Sequence, residues 1–122
     1  MKLRPEEQLQ IDIVKYLRLV APQCEVFAIR NEGLRHPIGH KIAVAMGLEP
    51  GIHDLCILAP GPHGWFVHFM EIKTLKGVLS IDQDALHLRF TKRGIPHCTA
   101  RSIEDARVAL CHWKIETRET GT

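Results

Sequence analysis

The sequence contains no apolar run approaching the roughly 18 residues a membrane helix needs. Met1 to Gln10 is charged with no apolar stretch behind it, so a secretory signal is not expected either. Its four cysteines, Cys24, Cys56, Cys98 and Cys111, are far apart and form no CxxC pair, which argues against a zinc ribbon or a dithiol redox motif. They read as buried free thiols. There is no HExxH: His36 and His40 have helix-face spacing, but Pro37 and Gly39 lie between them and no glutamate accompanies them, which argues against zinc. No nucleophilic Ser or Cys arrangement is visible, and no internal repeat or low-complexity segment. Strong net charge is also lacking. At +2 with neutral histidines, the chain does not announce a nucleic-acid binder as a pI above about 9 would. These absences leave a soluble protein, expected in the cytoplasm of a bacterial or phage-infected cell and associated with the nucleoid.

What is present is globular. The composition is 45% hydrophobic and 25% charged, close to the average of folded domains. A chain of 122 residues can bury one core and no more. Residues 1–115 are expected to form a single domain and 116–122 a polar, frayed tail.

In Pro5 to Val20, Leu9, Ile13, Tyr16, Leu17 and Val20 recur at helical spacing and Pro5 suits a first turn, so this is an amphipathic helix. Cys24 to Ile29 is strand-prone. Pro37 to Leu48 reads as a short helix or ordered loop, closed by the turn pair Pro50-Gly51. Asp54 to Ala59 and Trp65 to Lys73 are rich in strand formers and are separated by the turn residues Pro60 to Gly64, which makes an antiparallel hairpin. Ser80 to Arg93 is a helix with Ser80 as N-cap, Gly94 just past its end and an expected inward stripe of Ile81, Ala85 and Leu88. Ile95 to Thr99 is a last strand. Ser102 caps a final helix that packs Ala106, Ala109, Leu110 and Trp113 inward. The fold class is therefore α/β, with a mixed sheet flanked by helices.

The chemistry concentrates in Glu71-Ile72-Lys73. The strand period of two sends Glu71 and Lys73 to one face and Ile72 to the core. Asp54 opens the neighbouring strand, so its carboxylate can approach Glu71 across the sheet. Two adjacent carboxylates repel each other and would repel a phosphate. The arrangement becomes sensible with a hard divalent cation such as Mg²⁺ bridging protein and phosphate oxygens. Such an ion polarises a scissile phosphate and acidifies a bound water while Lys73 positions that water or stabilises developing charge. Taken alone, such a triplet is more often an ordinary exposed strand ion pair worth about 0–1 kcal/mol, with Asp54 serving a turn.

Further motifs accompany it in order: Glu6 to Gln10 (EEQLQ), Asn31-Glu32-Gly33, Gly51-Ile52-His53-Asp54, Glu71-Ile72-Lys73 and Leu79 to Gln83 (LSIDQ). In this order the chain resembles the PD-(D/E)XK nuclease superfamily, and specifically virus-type replication-repair nuclease (VRR-NUC) domains, over nearly its whole length. The resemblance implies a restriction-endonuclease-like three-layer sandwich. It implies that Asp54 and Glu71 bind Mg²⁺ or Mn²⁺, that the Ile72 carbonyl completes the ligand set, that Lys73 assists the attacking water, and that Glu6 and Gln83 support them. DNA, particularly branched DNA such as a four-way junction or flap, is the implied substrate, and a homodimer the implied assembly. The residue before the metal aspartate is commonly proline in the superfamily; here it is His53, which could add a proton-transfer or phosphate contact.

Glu6 extends the Leu9/Ile13 stripe by a turn and should point toward the protein, whereas Glu7 reads as a solvated or helix-dipole residue. Gln83 lies three residues after Ser80, the spacing of a capping box, and the resemblance places it beside Lys73. His68 reads as structural or exposed. Arg30, Asn31, Arg35, His36, Lys41 and Lys76 are candidate DNA contacts, and Arg89, Lys92 and Arg93 form a second basic cluster. The expected function is a metal-dependent DNA endonuclease. Its rival is a catalytically inactive DNA-binding module that keeps the same fold.

Overall fold

The computed structural model describes residues 2–30 and 37–118. Its elements run α1 (Pro5–Val20), β1 (Glu25–Ala28), α2 (Pro37–Ala45), β2 (Leu55–Gly61), β3 (Gly64–Ile72), α3 (Ile81–Lys92), β4 (His97–Ala100) and α4 (Ile103–His112). Pro5 begins α1, where its missing N–H is not needed. The Glu7 carboxylate accepts from the Arg4 N–H at 2.8 Å and caps the helix. Ile13, Leu17 and Val20 are buried at i, i+4 and i+7 as the periodicity requires.

The sheet has the order β1-β2-β3-β4. β1–β2 and β2–β3 are antiparallel, while β3–β4 is parallel. A parallel neighbour needs a crossover, and α3 supplies it. On one face Val26, Leu55, Ile57, Ala59, Met70, Ile72 and Ala100 form the core with Ile13 and Leu17 of α1 and Ala106 and Leu110 of α4. His68 belongs to this face: it is buried, contacts the Ile57 carbonyl at 3.3 Å and packs on Trp113, so its role is structural. The opposite face carries Phe69, Glu71 and Lys73, and α3 covers the first two. The result is three layers, α1/α4, sheet and α3, as expected.

Several boundaries move. β1 and β4 are shorter than, or shifted from, Cys24–Ile29 and Ile95–Thr99, because only residues with a sheet partner remain extended. The hairpin continues to the Gly61–Gly64 pair, so its turn is tighter than Pro60 to Gly64. The expected inward stripe of α3 is wrong. Ile81 and Leu88 are 88% and 57% exposed, Ala85 is also exposed, and the buried residues are Leu86 and His87. Apolar spacing misleads here because the inner face of this helix mixes Leu86 and Phe90 with the polar Gln83 and His87, which meet Phe69 and Glu71 of the sheet. Cys24 and Cys56 are buried as free thiols, but Cys98 is half-buried and Cys111 exposed. Beyond α4 the chain does not fray at once: Arg118 N–H donates to the Val20 carbonyl at 2.6 Å, and Gln23 donates to the Glu116 carbonyl at 2.7 Å.

One turn determines how α3 meets the sheet. Gly51 has φ +82°, and a Cβ there would lie 2.5 Å from the Asp82 carbonyl carbon and 2.7 Å from Gln83 N. The segment leading into β2 thus rests directly on the first turn of α3. Ion pairing of Arg89 with Glu49 holds the same junction from the other side. Gly51→Ala is expected to destabilise the fold by about 2–4 kcal/mol, combining left-handed strain with the clash. Urea denaturation would show this, and an unchanged midpoint would contradict it.

Candidate active site

The hairpin brings Asp54 and Glu71 together. Asp54 precedes β2, its carbonyl accepting from Ile29 N–H at 2.8 Å, and its Oδ2 accepts from Ile72 N–H at 2.7 Å. That bond aims the carboxylate at the last turn of β3. In an extended strand a residue's N–H and C=O point to the same side, so the Ile72 carbonyl is directed toward Asp54 as well. Lys73 continues the β3–β4 ladder by donating its N–H to the Ala100 carbonyl at 3.1 Å. After it, Arg101 Nη1 clamps the chain by donating to the carbonyls of Thr74 at 2.8 Å and Gly77 at 2.6 Å.

Glu71 is 2% exposed, so it is not half of a solvated surface ion pair. Burial pushes its carboxyl up to about 9, with hydrogen bonding to and repulsion from Asp54 and repulsion from Glu6 adding to the rise and Lys73 opposing it. Gln83 Nε2 donates to Glu71 Oε2 at 3.2 Å, while Glu71 Oε1 is buried with no hydrogen-bond partner. This orphaned oxygen and a second carboxylate beside it make an oxygen donor set that fits a hard divalent cation.

Gln83 forms the expected capping box and also reaches the carboxylates. Its Oε1 accepts from Ser80 N–H at 2.8 Å, its own N–H donates to Ser80 Oγ at 3.1 Å, and its Nε2 remains for Glu71. Its side-chain contact is with Glu71 rather than Lys73. Glu6 differs from expectation: it is exposed, because it lies in the first turn of α1 beyond the part that packs on the sheet, and it reaches Glu71 only through its charge.

Of the candidate DNA contacts, Arg30, Lys41 and Lys76 are exposed; Asn31, Arg35 and His36 lie outside the described residues, as does the whole Asn31-Glu32-Gly33 motif. Lys92 and Arg93 are exposed at the end of α3, whereas Arg89 is engaged with Glu49. His40 is exposed on α2.

His53 is fully buried and cannot touch a phosphate on the surface, which corrects that part of the expectation. It stacks on His87 with ring centroids 4.1 Å apart and lies near His97, Phe69 and Phe90. Burial, and then the neighbouring His87 and His97, lower its pKa to about 3. Burial also lowers His87 and His97. Sequence reading missed this cluster. The available signals were an unusual histidine before Asp54 and His87 one turn after Gln83 on the same helix face.

A mixed sheet with helices on both faces defines a three-layer α/β sandwich, with two carboxylates converging where β2 begins and β3 ends. The chain is similar to a solved structure described as a "VRR_NUC domain protein", with TM-score 0.63 and 18% identity over 95% of this chain and 93% of that one. The fold is thus VRR-NUC-like. No protein-family profile and no curated protein sequence matches the chain.

The buried carboxyl has a consequence for stability. Unfolded, Glu71 ionises near 4.5; folded, it keeps its proton to about 9. The unfolded chain therefore binds fewer protons across this window, so this contribution is fully present below 4.5 and lost as pH rises toward 9. Glu71→Gln retains the neutral shape and is expected to flatten the slope, exceeding the parent in stability by a few kcal/mol at pH 9. Urea melts at pH 5, 7 and 9 compare the two; parallel curves would refute the assignment.

Proposed function

We propose that this chain is a metal-dependent DNA endonuclease that hydrolyses phosphodiester bonds, with branched DNA as its preferred substrate. The observation that carries the reading is the Glu71 carboxylate, buried with Oε1 unpartnered, beside Asp54 and followed on the same strand face by Lys73. An apolar side chain would be cheaper at such a position unless the carboxylate is needed as a ligand. The VRR-NUC-like fold supports a nuclease, and the preference for branched DNA follows the family resemblance in the sequence.

Asp54, Glu71 and the Ile72 carbonyl would hold Mg²⁺ or Mn²⁺, with Glu6 adding negative charge from the rim. When bound, the ion would polarise the scissile phosphate and acidify a coordinated water. Asp54 is held in place by the Ile72 N–H, and Gln83 fixes the Glu71 carboxylate by its Nε2. Glu71 must give up its proton to act as a ligand, so loading should release protons near neutral pH. Lys73 would hydrogen-bond the attacking water and stabilise the charge that develops on the phosphoryl oxygens as the P–O bond to the leaving group breaks. Arg30, Lys41 and Lys76 would bind phosphates flanking the cut, and Asn31, Arg35 and His36 are proposed with them on sequence grounds.

A homodimer belongs to the same proposal. β1 to β3 leave Phe27, Trp65 and Val67 exposed at 46%, 58% and 42%, and their register with half-buried Leu58 puts them on the same sheet face as Phe69, on the part of it that α3 leaves uncovered. Such a patch suits a partner copy. Sedimentation that finds only monomer at every concentration would remove this part. Among the described residues no helix is long and apolar enough to cross a membrane.

Cleavage of labelled four-way junction, flap and plain duplex DNA, with Mg²⁺ or Mn²⁺ and with chelator, tests the function. Metal-dependent cutting that falls by roughly 10²–10³-fold in Lys73→Ala is expected. Junction binding with no cutting under either metal would instead identify an inactive DNA-binding module.

A further inference from the structure

Three imidazoles converge beside the carboxylates on the α3 side of the sheet. His53 comes from the segment before β2, His87 from the middle of α3 and His97 from the start of β4. One ring nitrogen from each lies within 4.8 Å of the other two, and His53 Nε2 and His97 Nδ1 are 3.3 Å apart. His53 is fully buried and His87 nearly so. His53 Nδ1 and His87 Nε2 have no hydrogen-bond partner.

The surroundings make these nitrogens unusual. Phe69 and Phe90 pack on the same cluster, with ring centroids 5.1 Å apart. A third aromatic hydrocarbon would fill such a pocket without orphaning a polar atom. Histidines from three separate elements instead bring ring nitrogens together: His53 Nε2 and His97 Nδ1 are within hydrogen-bond reach, while Thr91 Oγ1 meets the other His97 nitrogen, Nε2, at 2.7 Å. Neutral imidazole is the donor preferred by zinc, nickel, copper and cobalt, whereas Mg²⁺ prefers oxygen.

We propose that His53, His87 and His97 form a second cation site, for a borderline transition metal such as Zn²⁺ or Co²⁺, separate from the Asp54/Glu71 carboxylates. Zinc–nitrogen distances of roughly 2.0–2.1 Å place two tetrahedral ligands about 3.4 Å apart, the separation His53 and His97 already have. His87 must move: its ring stacks on His53 with planes 12° apart, so their in-plane lone pairs run side by side until one ring turns. His97 stands edge-on to both, at 73° and 63°. A water completes the coordination. The ion would tie together the start of β2, α3 and β4, which are the elements that set Asp54 against Gln83 and close the sheet beside Glu71.

The site does not depend on nuclease activity, so its test reads metal binding. The full chain is titrated with Co²⁺ and followed by visible absorption and by proton NMR, and with Zn²⁺ followed by thermal melting. One tightly bound Co²⁺ with nitrogen-rich d–d bands and hyperfine-shifted imidazole N–H resonances is expected. Binding should persist in Asp54→Asn and weaken at least tenfold in His97→Asn. Saturating Zn²⁺ should raise the melting temperature of the parent by about 5–10 °C. Binding lost in Asp54→Asn but intact in His97→Asn would assign the ion to the carboxylates and overturn the proposal. An absence of shifted imidazole resonances in the parent at saturating Co²⁺ would overturn it too, whatever the folding of the variants.

Discussion

The burial of one carboxyl group governs the arrangement around it. Glu71 lies at the inner end of β3 with 2% of its surface exposed, and a charge there would face a steep desolvation cost. The neighbouring chain is organised to make this position tolerable. Gln83 spends its side-chain amide on Glu71 while its carbonyl caps α3. Gly51 gives up its side chain so that the α3 terminus can approach. Asp54 is fixed by a backbone N–H, and its nearness helps keep the Glu71 proton in place.

The two faces of the sheet divide the labour. Toward α1 and α4 the side chains are mainly aliphatic, with Tyr16, Trp113 and His68 at the margins, and most of the hydrophobic stabilisation resides there. Toward α3 the layer contains Glu71, Gln83, His53, His87 and His97 alongside Leu86, Phe69 and Phe90. Chemistry needing dry, preorganised polar groups can occupy the second layer because the first already stabilises the fold. Alternation along β3 is what permits this: Met70 and Ile72 serve the core while Phe69, Glu71 and Lys73 serve the other side.

Two donor sets of different character lie next to one another in that layer. Oxygens of Asp54 and Glu71 suit a hard cation, and the imidazoles suit a softer one. His87 Nε2 and Glu71 Oε1, each without a hydrogen-bond partner, are 4.0 Å apart, so occupancy of either set would be felt electrostatically by the other.

Much of this was legible in the chain itself. Helical spacing located α1 at its observed bounds, turn residues located the hairpin, and Ser80 and Ser102 capped the helices they were expected to cap. A period of two was enough to put Glu71 and Lys73 on one face, and the antiparallel hairpin was enough to bring Asp54 near them. Local patterns could do this because they report on groups within one element or across one turn. They could not orient α3, whose exposed Ile81 and Leu88 mimic a core stripe, nor could they show that Glu6 stays in solvent. They also could not assemble His53, His87 and His97, which are neighbours only because a parallel crossover brings β4 back beside β3. Sequence determined which elements form and, along α1 and β3, which face the residues take; the tertiary structure alone decided which faces meet and which side of α3 turns inward, because burial and close approach are properties of pairs of elements distant along the chain.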